Sequence, residues 1–149
     1  MELRRVVVTG LGALTPIGNT LSEFWKGLVS GQSGADYITY FDASNFKTQF
    51  ACELKGFDPE NFLDRKLSRK MDRFAQYAIV SSDEAIKDSL INLETIDKDR
   101  VGVIWGAGIG GLETLQNNVL DYAAGNGTPR FNPFMIPKMI PDIAPGIIS

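Results

Sequence analysis

Two short apolar runs that each end in a glycine turn, at residues 5–12 and 100–108, constrain the fold of this chain most strongly. The first reads RVVVTGLG and the second reads RVGVIWGAG. Such runs are typical of strands buried on both faces of an α/β fold, in which ligands commonly lie at the turn that follows a strand. The sequence therefore predicts an α/β fold with strands over residues 3–9 and 100–105.

Helix signals begin soon after the first glycine turn. Thr20 and Glu23 form a capping-box pair that predicts the start of a helix, and Gly31 suits its end. The face of this helix predicted to be buried carries Leu21, Phe24, Trp25 and Leu28. The first glycine turn itself lacks the third glycine of a nucleotide-binding pattern, and is therefore predicted to be structural.

Two more helices are predicted further along the chain. Apolar residues recur at spacings of three and four from Leu67 to Ile86, which predicts one long helix from residue 66 to residue 91. Another helix is predicted to begin near Leu112, after the second glycine turn, and to end at Gly125.

Prolines at every fourth position, from 129 to 145, mark the last part of the sequence. They predict a loop with a short helix over residues 138–140, which Pro141 distorts or ends. The apolar run at 146–149 resembles a strand cut short, so the chain is expected to end within an element of a larger domain.

The composition excludes several classes of function. The 149 residues contain no histidine, which removes the commonest general base and the partner of most nucleophilic serines and cysteines. A net charge of −3 argues against a nucleic-acid partner, and no apolar run is long enough to cross a membrane. One cysteine fits a reducing compartment, the cytoplasm. No acidic or cysteine cluster has metal-ligand spacing, so neither a metal nor a cofactor is predicted.

Cys52 is the one thiol of the chain. Its alternation with Phe50 and Leu54 predicts a short, half-buried strand. A reactive thiolate needs a cationic partner or a helix N-terminus, and Lys55 is the only cation nearby. The sequence therefore favours inert packing for this cysteine over catalysis.

Residues 106–111, GAGIGG, satisfy the dinucleotide-binding pattern through Gly106, Gly108 and Gly111. The helix after them is followed by a proline-rich segment, where a nucleotide-binding domain would have a strand ending in an acid. Three interpretations stay open: a close-packed structural turn, a small nucleotide-binding domain, and a turn lining an apolar substrate channel with Ile109 at its tip.

One strong cluster of positive charge lies at the start of the predicted long helix. Its members are Arg65, Lys66, Arg69, Lys70 and Arg73. Their spacing places them along one helix face, although positive charge is unfavourable near a helix N-terminus. The cluster is either a solvated face or a docking patch for an acidic partner.

Several stretches together resemble the β-ketoacyl-acyl-carrier-protein synthases, in particular the elongating type II enzymes of bacterial fatty acid synthesis. They are RRVVVTGLGALTPIGNT at 4–20, GQSG at 31–34, FDASNF at 41–46, RKMDRFAQYA at 69–78, GAGIGGLE at 106–113, and NPF at 132–134 with the following IPKMIP. The resemblance extends in order over essentially the whole chain.

This resemblance implies a thiolase-like fold, layered α/β/α/β/α, of which residues 1–149 would form the N-terminal portion, ending before the turn that bears the nucleophile. It implies an acyltransferase that moves an acyl group onto a cysteine, decarboxylates malonyl-carrier protein with two histidines, and joins the two groups. Cys52 does not match the nucleophile, and the chain has no histidine. The chain alone is therefore expected to be inactive and to contain no catalytic residue.

The resemblance also implies roles for residues within the chain. Lys66, Arg69 and Lys70 match the basic residues that dock the acidic acyl carrier protein, and Arg130 is expected to join them.

The acyl pocket is the other site that the resemblance implies. Ile109 matches the residue that gates this pocket, and Met135 and Ile136 match residues that reach into the pocket of the partner subunit in a homodimer. The alternatives are a non-catalytic fragment that binds carrier protein or a synthase subunit, and the nucleotide-binding domain. Exposed strand edges would make the isolated chain poorly soluble.

Overall fold

The computed structural model describes residues 3–149, which separate into two compact units. The first unit consists of the residues up to Phe57 together with Asp83–Asn92, and the second of Asp58–Ser82 together with Leu93–Ser149. The helices are α1 (Leu21–Val29), α2 (Arg65–Arg69), α3 (Arg73–Ser89), α4 (Leu112–Ala124), α5 (Met135–Met139) and α6 (Ile143–Ile148). Short 3-10 turns lie at Pro59–Asn61 and Lys98–Arg100.

The sheet of the first unit is a single antiparallel pair. Strands β1 (Asp36–Tyr37) and β2 (Phe50–Ala51) face each other with Asp36 opposite Ala51. The strand predicted around Cys52 is thus confirmed only in its first residues.

Helix α1 begins and ends where its capping residues predict. The Thr20 hydroxyl accepts the N–H of Glu23 at 3.2 Å. At the other end Gly31 has a φ of +69°, and the N–H of Gln32 donates to the carbonyl of Gly27 at 2.9 Å. This closure is a Schellman motif, which needs a residue that tolerates the left-handed conformation.

The prediction of which α1 residues are buried is correct for only half of them. Leu21 and Phe24 are half-buried, whereas Trp25 is 62% exposed and Leu28 is 52% exposed. Amphipathic spacing fixes which residues share a face, but burial requires an element packed against that whole face.

Acidic side chains of α3 hold the first glycine turn. Glu84 accepts the N–H groups of Ala13 and Leu21, each at 2.8 Å, and Asp88 accepts the N–H of Leu11 at 2.9 Å. A Cβ on Gly10 would lie 2.2 Å from the Ala85 carbonyl oxygen. The turn is therefore structural, as predicted, because its glycine permits close contact with the α3 backbone.

The two predicted strands at 3–9 and 100–105 are not strands among the described residues. Their side chains are open to solvent, with Val6 88%, Val8 79% and Ile104 99% exposed. A strand exists only where a neighbour satisfies its N–H and C=O groups, and no segment of residues 3–149 pairs with either run. The strand predictions are therefore wrong for the described residues, because apolar composition favours a strand but does not supply the segment that must pair with it.

The predicted long helix over 66–91 is broken into α2 and α3. Lys70 ends α2, and the Asp72 carbonyl starts α3 by accepting the N–H groups of Ala75 and Gln76 at 3.1 and 3.2 Å. The Gln76 amide then donates to the Ser68 carbonyl at 3.0 Å across the corner. The spacing of apolar residues continues across this corner without interruption, so it gives no sign that the helix breaks. The break is visible only in the hydrogen bonds that Asp72 and Gln76 make there.

The core of the second unit is small and built from short side chains. Met71 is 4% exposed, and Ala75, Ala78 and Ala144 are fully buried. The half-buried residues packed on them are Leu63, Phe74, Ile79, Ile143, Ile147 and Ile148. The chain end predicted to be a strand is instead α6, because a short apolar run alone does not distinguish strand from buried helix.

The proline-rich segment contains α5, which begins earlier than the predicted short helix. Met135–Met139 is helical, Ile140 is extended, and Pro141 follows it. Pro141 therefore ends the helix as expected. Within residues 3–149, no helix has the length and apolar character needed to cross a membrane.

Candidate functional site

The positive cluster lies on and beside α2, in the second unit. The Asp64 carboxylate caps this helix by accepting the N–H groups of Lys66 and Leu67, at 2.8 and 3.2 Å. An acid at this end offsets the unfavourable effect of cations in the first turn. Lys66, Arg69 and Lys70 are all exposed, and together they are called the α2 basic surface.

Ion pairs neutralise the edges of the cluster and leave its centre charged. Arg65 pairs with Glu60 at 3.2 Å, and Arg73 pairs with Glu113 at 3.5 Å. Among residues 3–149, none of the three side chains of the α2 basic surface forms an ion pair. The surface thus presents positive charge that no acid of residues 3–149 neutralises through an ion pair, as a docking patch for an acidic partner requires.

An aromatic ring lies beside this surface. The Lys70 ammonium lies 5.6 Å from the centre of the Phe134 ring, within the range of a cation–π interaction. Phe134 is the residue directly before α5, whose first residues are Met135 and Ile136. The structure therefore brings the α2 basic surface next to the segment that carries the predicted pocket residues.

The remaining predicted site residues differ in exposure. Arg130 is exposed in the connection between α4 and α5 and makes no ion pair among the described residues. Ile109 is 71% exposed and Ile136 is 60% exposed, whereas Met135 is half-buried. Two of the three apolar residues are thus available for contact with a further apolar group.

Only some glycines of the second glycine turn pack against α5. A Cβ on Gly110 would lie 2.2 Å from the Met139 carbonyl oxygen, and a Cβ on Gly111 would lie 2.1 Å from the Lys138 carbonyl oxygen. By contrast, nothing lies within 4 Å of a Cβ built on Gly106 or Gly108. The packing interpretation of this turn is therefore supported at the pair of glycines that precedes α4.

The N-terminus of α4 is poorly suited to a phosphate. Asp72 accepts both the backbone N–H of Thr114, at 3.3 Å, and its hydroxyl. The N–H of Gly111 is likewise satisfied by the Met139 carbonyl at 3.1 Å. A carboxylate already occupies the position that an anionic ligand would take, so the geometry disfavours the nucleotide-binding alternative.

Cys52 is exposed, which corrects its predicted burial. The two-residue strands of the first unit offer no second layer to cover it. No group of histidine, cysteine and acidic residues that could hold a metal ion occurs within residues 3–149.

The carboxylates with a perturbed pKa lie in and around the small sheet. A hydrogen bond and charge from Lys55, at 2.7 Å, hold the pKa of Asp36 below its usual value. A hydrogen bond from the Thr39 side chain lowers the pKa of Glu53. Asp36 is exposed, Glu53 is half-buried, and both are hydrogen-bonded locally, so these pKa shifts reflect the local structure of the small sheet and not acid–base chemistry.

Residues 3–149 match the family model described as "Beta-ketoacyl synthase, N-terminal domain", and the chain therefore belongs to this family. It is similar to the 3-oxoacyl-[acyl-carrier-protein] synthase 2 of Synechocystis sp., with 47% identity over 100% of the chain and 36% of the relative. The enzyme of the same name from Staphylococcus aureus (strain COL) is 43% identical over 98% of the chain and 35% of the relative. The chain thus spans about a third of the length of these relatives.

Solved ketosynthases have the same fold over this length. One is AntDE:AntF, described as a type II PKS acyl-carrier protein in complex with its ketosynthase bound to the hexaketide, with a TM-score of 0.75 and 26% identity over 96% of this chain and 37% of that one. The ishigamide ketosynthase/chain length factor has a TM-score of 0.77 and 26% identity, over 97% of this chain and 36% of that one. The expected N-terminal portion of a thiolase-like fold is confirmed.

Proposed function

We propose that this chain is part of a 3-oxoacyl-acyl-carrier-protein synthase and supplies the surface on which the acyl carrier protein docks. The main observation in support is the α2 basic surface, whose three exposed cations have no ion-pair partner among the described residues. Arg130 extends this surface from the connection before α5. Relatives named for the acyl-carrier-protein reaction, and a ketosynthase solved with its carrier protein, support the choice of partner.

The apolar residues supply the second half of the proposal. Ile109 forms part of the acyl-pocket wall, and Met135 and Ile136 extend toward the pocket of the partner subunit in a homodimer. The exposure of Ile109 and Ile136 supports this role, because the burial of exposed aliphatic side chains against another apolar group is favourable. We place this homodimer in the cytoplasm and assign it no cofactor.

The reaction proposed for the longer protein is a decarboxylative condensation. The acyl group moves from its carrier thioester to a cysteine sulfur, and the carrier thiol leaves. Malonyl-carrier protein loses CO2, and the resulting carbanion attacks the acyl thioester. The new carbon–carbon bond gives 3-oxoacyl-carrier protein, and the cysteine is released.

The 149-residue polypeptide by itself should not catalyse this condensation. The proposed chemistry needs a nucleophilic cysteine and two histidines, whereas these 149 residues contain no histidine and one exposed cysteine, Cys52, which does not match the nucleophile of the family. Incubation with acyl- and malonyl-carrier protein should release no CO2 above the rate without protein. Turnover that is lost in Cys52→Ser would contradict the proposal.

Carrier-protein binding without catalysis is the second candidate function for this chain. It is favoured because Lys66, Arg69 and Lys70 all lie on or directly after one short helix, which the Asp64 carboxylate caps. The two candidates share the docking surface and differ only in whether condensation follows.

Calorimetric titration of the chain with acyl carrier protein tests the proposed docking directly. Because exposed charges attract across solvent, we expect the dissociation constant to rise about three- to tenfold when salt increases from about 0.05 M to about 0.5 M. Binding that is absent at low salt, or unchanged by salt, would contradict an electrostatic docking surface.

A further inference from the structure

The aromatic side chain of Phe134 lies beside a cation of the α2 basic surface, the Lys70 ammonium. The ring lies 5.6 Å from the Lys70 ammonium and is itself 40% exposed. Lysine side chains are flexible and lose considerable rotamer freedom when a partner fixes them. A ring face beside the ammonium therefore restricts Lys70 while leaving its other side open to a carboxylate.

The ring is supported by hydrogen bonds from both backbone and side chains. Asn132 accepts the N–H of Phe134 at 2.8 Å through its amide oxygen, and the N–H of Met135 at 2.9 Å through its carbonyl. The Asn132 N–H donates to the Asn118 side chain at 3.4 Å, and the Asn118 amide donates to the Thr114 carbonyl at 2.7 Å. These hydrogen bonds join the segment before α5 to α4, so the backbone that carries the ring is fixed against a helix.

We infer that Phe134 is a positioning residue of the docking surface, which holds the Lys70 ammonium in place before the acidic carrier protein arrives. The inference rests on the proposed docking function, and it assigns Phe134 no contact with the acyl chain. Binding is strengthened when a side chain is ordered in advance, because less freedom is lost on association. Apart from its place in the NPF motif, no charge or spacing pattern in the sequence predicts a role for this residue.

The test compares Phe134→Leu, which removes the ring face but keeps an apolar side chain, with Phe134→Tyr, which keeps the ring. At low salt we expect Phe134→Leu to weaken carrier-protein binding about two- to fivefold, the range of an exposed cation–π interaction. Phe134→Tyr should bind as the unchanged chain does. Phe131→Leu is the matched control. Phe131 lies in the same connection between α4 and α5 but stacks on Tyr122, so this substitution should leave affinity unchanged.

A double-mutant cycle with Lys70→Met shows whether Phe134 acts through the ammonium. We expect Phe134→Leu to have no further effect on affinity once Lys70 is methionine. A separate readout is the NMR shift of the Lys70 side-chain protons, which a nearby ring moves upfield and which Phe134→Leu should return to the value of a free lysine. This shift can be read at native conditions in any variant that folds.

The outcomes separate this inference from the proposed function. If Lys66→Glu and Lys70→Met leave carrier-protein affinity unchanged, the docking proposal itself is wrong. If those variants weaken binding but Phe134→Leu does not, or weakens it equally with Lys70→Met present, docking stands and the positioning role of Phe134 is overturned. An unshifted Lys70 resonance in the unchanged chain would also overturn it.

Discussion

Replacing both Lys66 and Arg69 with glutamate should weaken acyl-carrier-protein binding by about 10- to 100-fold, or about 1.4 to 2.7 kcal/mol. Each substitution removes an attractive charge and adds a repulsive one at the centre of the α2 basic surface. Neither side chain makes an ion pair among the described residues, so no internal bridge is lost. Glutamate at position 66 lies near the start of α2, where negative charge is favourable, whereas glutamate at position 69 lies at the end of this helix, where it is unfavourable.

A control of equal charge separates docking from a general effect of net charge. Lys47→Glu with Lys98→Glu changes the net charge by the same amount at exposed positions outside α2. This pair should alter affinity by no more than about twofold at moderate salt, since it leaves the α2 basic surface unchanged. Equal weakening by both pairs, or by neither, would mean that the α2 basic surface is an ordinary solvated face.

Alanine at Gly110 should destabilise the second unit by about 2 to 4 kcal/mol, the sum expected from overpacking and a left-handed side chain, and alanine at Gly111 by about 1 to 3 kcal/mol from overpacking alone. A methyl group at either position would meet a backbone carbonyl oxygen of α5, at 2.2 or 2.1 Å. Gly110 also has a φ of +85°, which side chains tolerate poorly. Backbone cannot rotate away as a side chain can, so α4 and α5 must separate.

The other glycines of the same pattern are the matched controls. Alanine at Gly106 or Gly108 meets open space, and should change the free energy of unfolding by less than about 1 kcal/mol. Urea unfolding can be followed through Trp105 after Trp25→Phe, because these are the two tryptophans of the chain and Trp25 is already 62% exposed. A melting-temperature increase with ATP or NAD that disappears in Gly106→Ala or Gly108→Ala would instead support nucleotide binding.

Local signals in the sequence predicted what local interactions determine. Thr20, Glu23 and Gly31 set the ends of α1 through hydrogen bonds within a few residues, and these ends were predicted correctly. Periodicity failed at the corner between α2 and α3, because Asp72 and Gln76 make bonds there that no hydrophobic pattern encodes.

The strands could not be predicted from their own residues, because pairing is a property of two segments. The run at 3–9 has the composition of a buried strand, yet its valines are exposed where no described segment pairs with it. For the site, charge spacing alone identified the cluster at residues 65–73 but left its role open. The contact between Lys70 and Phe134 joins residues far apart in sequence, and only the folded structure shows it.

The central claim is that α2 and its neighbours form the surface that meets the carrier protein. The most direct test is an NMR titration of the isotope-labelled chain with unlabelled acyl carrier protein, following the backbone amide of each residue. We expect the largest shifts at Arg65–Arg69, at Lys70, and at Arg130 and Phe134, with little change in β1 and β2. Shifts that are absent, or that concentrate around β1 and β2 while α2 stays unchanged, would contradict the account.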